Sequence, residues 1–267
     1  MFVRNKRQYN NNAAFSLTEI LLAVGALAIG MLFIGGTFMV GIHFTTIATE
    51  RTIAAVAADE AFAKVSLYGV DVNLPSLTTS QLTPFSALTP ISGDELMYPS
   101  TAAPMSQKQY YWVALCRRVN QNSNLVQVTV FVSRKVGAGA EYWGRQGSTG
   151  WPNLERRSFP RPIPLNVIQD PSLDSADQLR IIDAVPGDTV DERTLVNDGY
   201  TIVDNQTGQI CRVLERKADQ PDKIVLDGPW RGAAVAPPTG GWVWVVPPPI
   251  AGGKSPCIAI YQKVLRF

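Results

Sequence analysis

The sequence predicts an α+β protein. It consists of a long N-terminal helix, half transmembrane and half amphipathic, packed on an antiparallel β-sheet head, with an additional C-terminal β-rich unit. Three observations carry this. From Ile20 to Ile42 there is no charged residue, and that run is long enough to cross a bilayer's hydrocarbon core, which takes about 20 apolar residues. The segment after it, to Tyr68, is rich in Ala and free of Pro, with Ile47, Ile53, Val56, Ala57, Phe62 and Val65 near helical spacing. The rest of the chain alternates short β-patterned runs with Pro- and Gly-rich breaks.

The helix is expected from Phe15 to Tyr68, with Gly69 as its stop. At 1.5 Å per residue its length is on the order of 80 Å. Gly25, Gly30, Gly35 and Gly36 lie in the membrane half. There they serve close helix contact or simply reflect transmembrane composition. Glu19 opens the apolar run, and an unpaired carboxylate in lipid is costly, so a role is expected of it.

Ahead of the helix, residues 1–14 carry Arg4, Lys6 and Arg7 and no acid, then the polar Tyr9–Asn12 and the small pair Ala13–Ala14; Phe-Ser-Leu-Thr-Glu follows. This arrangement resembles the class III signal of type IV pilins and type II secretion pseudopilins. The resemblance implies that prepilin peptidase cuts between Ala14 and Phe15 and that the new amino terminus, Phe15, is N-methylated. In that family the residue before the cut is usually Gly; here it is Ala14. The resemblance also implies that Glu19 sets assembly register by pairing with the Phe15 ammonium of a neighbouring subunit. Snorkelling of Glu19 to the headgroups and peptidase recognition are the alternative roles. An ordinary secretory signal has an apolar region of only about 7–15 residues with its cleavage site after it, unlike this run. An uncut signal anchor has similar hydropathy but does not account for Glu19.

Composition bounds the function. The chain has 267 residues, 24 basic and 22 acidic, for a net charge of +2. Without the leader's three basic residues the balance is 21 to 22, or −1, so no nucleic-acid partner is inferred. Mean hydropathy is near zero at +0.03, in keeping with one membrane segment on a globular, loop-rich protein. His43 is the single histidine, which leaves no Ser-His-Asp or Cys-His machinery and no His-based metal site. No catalytic residue, cofactor or metal is expected, and the protein is not expected to be an enzyme. Cys116, Cys211 and Cys257 lie in the part expected outside the cytoplasm, where disulfides persist. Cys211 and Cys257 are the candidate pair; three buried thiols are the alternative.

The domain expectation follows the chain. Residues 1–14 are a leader, and 15–69 the helix, with its membrane part about 20–42. Residues 70–136 are a loop plus β-hairpin head, 137–164 a linker, and 165–267 a C-terminal antiparallel β unit. Prolines at 75, 84, 90, 99 and 104 exclude a long helix between Leu74 and Gln107. Tyr110–Val119 and Leu125–Val136 read as a hairpin, with Val126, Val128, Val130 and Val132 on one face. It is expected on the helix between about Ile47 and Val65, which would bury both apolar faces. Between Gly137 and Pro164, Arg145, Arg156, Arg157 and Arg161 with Trp143 and Trp151 read as a solvated loop with anchoring tryptophans. Six further strands follow: Leu179–Val185, Tyr200–Val203, Gln209–Arg216, Lys223–Leu226, Trp242–Val246 and Cys257–Phe267. They suggest a compact sheet or small open barrel. The pseudopilin resemblance leaves a calcium loop open at the Asp204–Asn205–Gly208 turn, although the clustered carboxylates of such a loop are missing from the sequence.

The function expected from these readings is that of a type IV pilin-like structural subunit, a minor pilin or pseudopilin. It assembles into or caps a filament through its N-terminal helix. Its implied partners are other pilin or pseudopilin subunits, prepilin peptidase and membrane lipid. Its implied location is a single membrane pass with a cytoplasmic N-terminus and an extracytoplasmic head, then the pilus or pseudopilus. The alternative is a signal-anchored extracytoplasmic binding module with no filament role.

Overall fold

A computed structural model describes residues 16–100, 104, 108–137, 139–145, 154–170, 172–184, 190–232 and 241–267. The architecture is α+β: one long N-terminal helix, then mostly antiparallel β-sheets that include a six-stranded barrel. Helix α1 runs over Leu17–Tyr68 without interruption. It ends where expected, at Gly69, whose φ of +74° only glycine adopts without strain. Contacts divide the chain into two units, Met1–Thr49 and Glu50–Phe267.

In the first unit the side chains of α1 are largely exposed, among them Leu22, Leu32, Phe33, Phe38 and Met39. Its threonine hydroxyls are satisfied within the helix. Thr37 donates to the Ile34 carbonyl at 2.8 Å, Thr45 to Gly41 at 2.8 Å and Thr46 to Ile42 at 2.9 Å. Bonding back in this way satisfies each of these hydroxyls within the helix.

The second unit is built on a five-stranded antiparallel sheet. Its strands are β1 (Thr83–Pro84), β2 (Met97–Tyr98), β3 (Tyr110–Arg118), β4 (Leu125–Arg134) and β13 (Cys257–Arg266). Strands β3 and β4 form the expected hairpin, in register from Tyr110 opposite Arg134 to Arg118 opposite Val126. The valines of β4, with Trp112, Ala114 and Cys116, share one core cluster with Ala54, Ala57, Ala58, Ala61, Phe62 and Val65 of α1. Those helix positions recur at three- and four-residue steps and so lie on one face. Val56, expected among the helix's apolar positions, is 49% exposed instead. Ion pairs also join strand and helix residues: Lys263 to Asp59 at 2.8 Å, and Arg134 to Glu50.

The period-two pattern of β4 predicts one wet face, and here the structure differs. Thr129, Phe131 and Ser133 are as buried as the valines. Leu82, Leu115 and Phe131 form a separate cluster with Val203, Trp244 and Val246 of the C-terminal region. The polar members of this face are satisfied locally. Gln262 Nε2 donates to Thr129 Oγ1 at 3.0 Å, and Arg117 Nε donates to Gln127 Oε1 at 3.0 Å.

The C-terminal strands close into a barrel. Strands β7 (Ile163–Ile168), β8 (Gln178–Ile182), β9 (Thr201–Asp204), β10 (Ile210–Arg216), β11 (Lys223–Leu226) and β12 (Gly241–Val245) follow the order β10-β11-β8-β7-β12-β9. Alternate residues such as Leu165, Ile181, Ile202, Val213, Ile224 and Val243 fill the interior, so it is a packed core and not a pore. Two expectations are corrected here. The sixth barrel strand is β7, beginning at the end of the expected linker. The last strand, β13, instead leaves the C-terminal unit and pairs with β4 from Ser133 to Leu125. Its hydrophobic alternation suits either sheet, and only the chain path through the Pro-rich 247–256 segment delivers it to β4. The expected linker also holds a hairpin, β5 (Tyr142–Arg145) with β6 (Leu154–Arg157). Trp143 packs against the barrel core.

Candidate functional site

The residues of the proposed N-terminal signal fall into two groups. Ala14 and Phe15, the cleavage and methylation positions, lie outside the described residues, as does Trp151 of the Arg-rich segment. Glu19 sits in the first turn of α1. Its backbone N–H donates to the Ser16 carbonyl at 3.0 Å, and Ser16 Oγ lies 2.7 Å from Thr18 Oγ1. A carboxylate in the first turn is favoured by the partial positive charge of the helix N-terminus. No ion pair forms to Glu19 among the described residues. The helix that follows contains the one described segment long and apolar enough to cross a membrane, with mean hydropathy 2.3 over its most apolar window. It is a candidate membrane anchor. Around Gly25, Gly30, Gly35 and Gly36, an added Cβ would meet nothing within 4 Å, so this chain's own packing does not demand glycine there.

The candidate disulfide does not form: all three cysteines are free thiols. Cys211 lies on β10 inside the barrel, while β13 carries Cys257 into the other sheet. Burial pushes the Cys116 thiol up to about 12, that of Cys211 to about 11 and that of Cys257 to about 12. They behave as small hydrophobes and not as nucleophiles.

The Asp204–Gly208 turn joins β9 to β10 and is held by its own side chains. Asp204 Oδ2 accepts from the Thr207 N–H at 2.8 Å and from Thr207 Oγ1 at 2.6 Å. Asn205 Oδ1 accepts from Trp244 Nε1 at 2.8 Å and from the Leu82 N–H at 3.1 Å. The turn thus ties the barrel to the sheet. Among the described residues no cluster of three His, Cys, Asp or Glu could hold a metal ion.

The Arg-rich stretch is a solvated loop only in part: Arg156 and Arg161 are exposed and Trp143 anchors on the barrel core, but the described residues also form a hairpin. Arg145 of β5 is buried and paired with Glu192, which is itself fully buried in the 3-10 turn Glu192–Leu195. Burial pushes the Glu192 carboxyl up, and the Arg145 charge opposes that shift. Arg157 pairs with Glu155 at 2.8 Å and Arg156 with Glu141 at 3.2 Å. Arg161 stands over the Tyr111 ring, 5.2 Å from its centroid. Arg145, Arg157 and Arg161 line one cavity of about 310 Å³. The sequence signal was present in the clustered arginines, but only the fold shows which of them are already paired. Compared with known proteins, the chain matches no protein-family model, no curated protein and no solved structure.

Proposed function

We propose that this chain is a type IV pilin-like subunit, a minor pilin or pseudopilin that assembles into or caps a filament through its N-terminal helix. The observation that carries the reading is the pattern of α1: a carboxylate in the first turn, a charge-free apolar run through Ile42, and a second part that shares a core with a β-sheet. In this reading the second half of the helix is the spine of the extracytoplasmic head. The basic leader holds the N-terminus in the cytoplasm. Prepilin peptidase removes residues 1–14, and the Phe15 ammonium is methylated. Glu19 then pairs with the Phe15 ammonium of a neighbouring subunit. Desolvating either charge alone in lipid is costly, and pairing recovers much of that cost. Only one axial offset between helices brings the two together, so the pair sets register. The open surface around the membrane glycines supports close helix–helix approach.

Mass spectrometry of the mature chain from its own host tests processing. A chain starting at N-methylated Phe15 is the expected result; an intact Met1 overturns the reading and leaves a signal-anchored binding module. Replacing Glu19 with Ala tests register through two separate readouts. Normal leader removal with lost incorporation into filaments is expected, and unimpaired incorporation overturns the register role.

A further inference from the structure

The cavity lined by Arg145, Arg157 and Arg161 is a built site. Its walls come from β3, the short helix α2 (Phe85–Leu88), the β5–β6 hairpin and the entry to the barrel. Phe85, Tyr111, Leu115, Ile163 and Trp244 make these walls apolar and aromatic. At about 310 Å³ it falls at the small end of the range of ligand sites, roughly 300–1,000 Å³. Gly144 is needed in this wall, because a Cβ there would stand 2.6 Å from Arg157 Cγ and push that side chain off the hairpin.

The charges specify the occupant. Two of the three guanidiniums already hold a carboxylate: Arg145 has Glu192, and Arg157 has Glu155. Arg161 has no carboxylate partner among the described residues. It rests over the Tyr111 ring, which stacks on Phe159 with centroids 5.6 Å apart. The buried Tyr111 hydroxyl makes no hydrogen bond of good geometry. Burial pushes this phenol up, with the neighbouring Arg161 opposing the shift, so it stays protonated at neutral pH and remains a donor. One solvent-exposed cation, one neutral donor and an apolar, aromatic wall match a ligand with a single negative charge and a hydrocarbon body. The planar guanidinium fork fits a carboxylate in particular.

We propose that this cavity binds a small organic monocarboxylate with an apolar or aromatic body, its carboxylate on Arg161 and its body among Phe85, Tyr111 and Trp244. The site lies wholly within Glu50–Phe267 and is independent of how the helix assembles. The full chain in neutral detergent, titrated calorimetrically with 4-phenylbutyrate, tests it. Wild type is expected to bind saturably at millimolar concentration or below. Arg161→Gln, which keeps the stem and removes the charge, is expected to bind about tenfold more weakly. The neutral analogue 4-phenylbutanamide should weaken to a similar degree on wild type. Ala87→Phe, an exposed change at the cavity mouth, should abolish binding without changing the melting temperature of the free protein. The proposal is overturned if wild type shows no saturable binding, if the amide binds as well as the acid, or if both variants bind as wild type does.

Discussion

Gly208 carries two independent demands, which makes Gly208→Ala the sharpest test of how the barrel meets the sheet. Its φ is +72°, and holding an L-residue in that region costs about 1–2 kcal/mol. A Cβ there would stand 2.6 Å from Gln127 Nε2 and 3.4 Å from Gln262 Nε2. Gln127 would have to swing away, straining its bonds from Arg117 at 3.0 and 2.6 Å. Gln262, at ordinary contact distance, can keep the bond it donates to the Gly208 carbonyl at 2.6 Å. Disturbing this network adds about 1 kcal/mol, while the stiffer unfolded chain returns about 0.4–1 kcal/mol. The net loss is about 2 kcal/mol, a fall in melting temperature of roughly 4–8 °C for a unit of this size. Thermal unfolding followed by tryptophan fluorescence reads it. Gly228→Ala is the control: its φ is unremarkable and its Cβ would meet nothing within 4 Å, so its effect should stay within about 0.5 kcal/mol. In a Gln127→Ala background the crowding disappears, and Gly208→Ala should cost only the backbone term. Equal melting of the two glycine variants, or an unchanged cost in the Gln127→Ala background, refutes the reasoning.

Asp174 gives a pH prediction. Burial opposes its ionisation, but the Asp170 N–H at 3.0 Å, Lys223 at 2.9 Å and Arg180 at 3.1 Å hold its carboxyl below the usual value. A carboxyl depressed in the folded state contributes stability above its unfolded value, near 3.8, and loses it as pH falls further. Asp174→Asn should therefore cost about 3 kcal/mol at pH 7, because it strands the buried Lys223 charge, and urea midpoints of variant and wild type should converge below about pH 4; a gap independent of pH refutes this. The thiols give a third prediction. Cys116, Cys211 and Cys257 should react with a thiol reagent at pH 8 only after urea unfolding, since burial holds each of them protonated; fast labelling of the native chain would show that one is accessible. Trp244→Ala gives the fourth, removing the side chain whose indole N–H meets Asn205 at 2.8 Å at the contact between barrel and sheet. It should cost about 3–5 kcal/mol in urea unfolding, and a loss below about 1 kcal/mol would refute the role of that contact.

Elements with a local cause are legible along the chain. Helix α1 and its stop at Gly69 follow from an apolar run, a Pro-free continuation and a residue able to take positive φ. The Tyr110–Arg118 and Leu125–Arg134 hairpin follows from period-two alternation around a polar turn. The tertiary structure alone decided where β13 goes, because a strand that alternates can pair in either sheet, and its alternation names no neighbour. It also decided that β4 is buried on both faces: Thr129 and Ser133 look solvent-facing until Gln262 and the cluster around Trp244 supply their surroundings. Ile163–Ile168 is hidden in the sequence because Pro160, Pro162 and Pro164 mark a break, yet Pro164 pairs with Trp244 on the barrel wall. The arginines show the same division. Their clustering was visible along the chain, but a charge becomes a site only when its counter-charge is known, and Glu192 lies 47 residues from Arg145. Long-range pairing depends on which surfaces remain unburied once local elements have formed, and no local pattern encodes that.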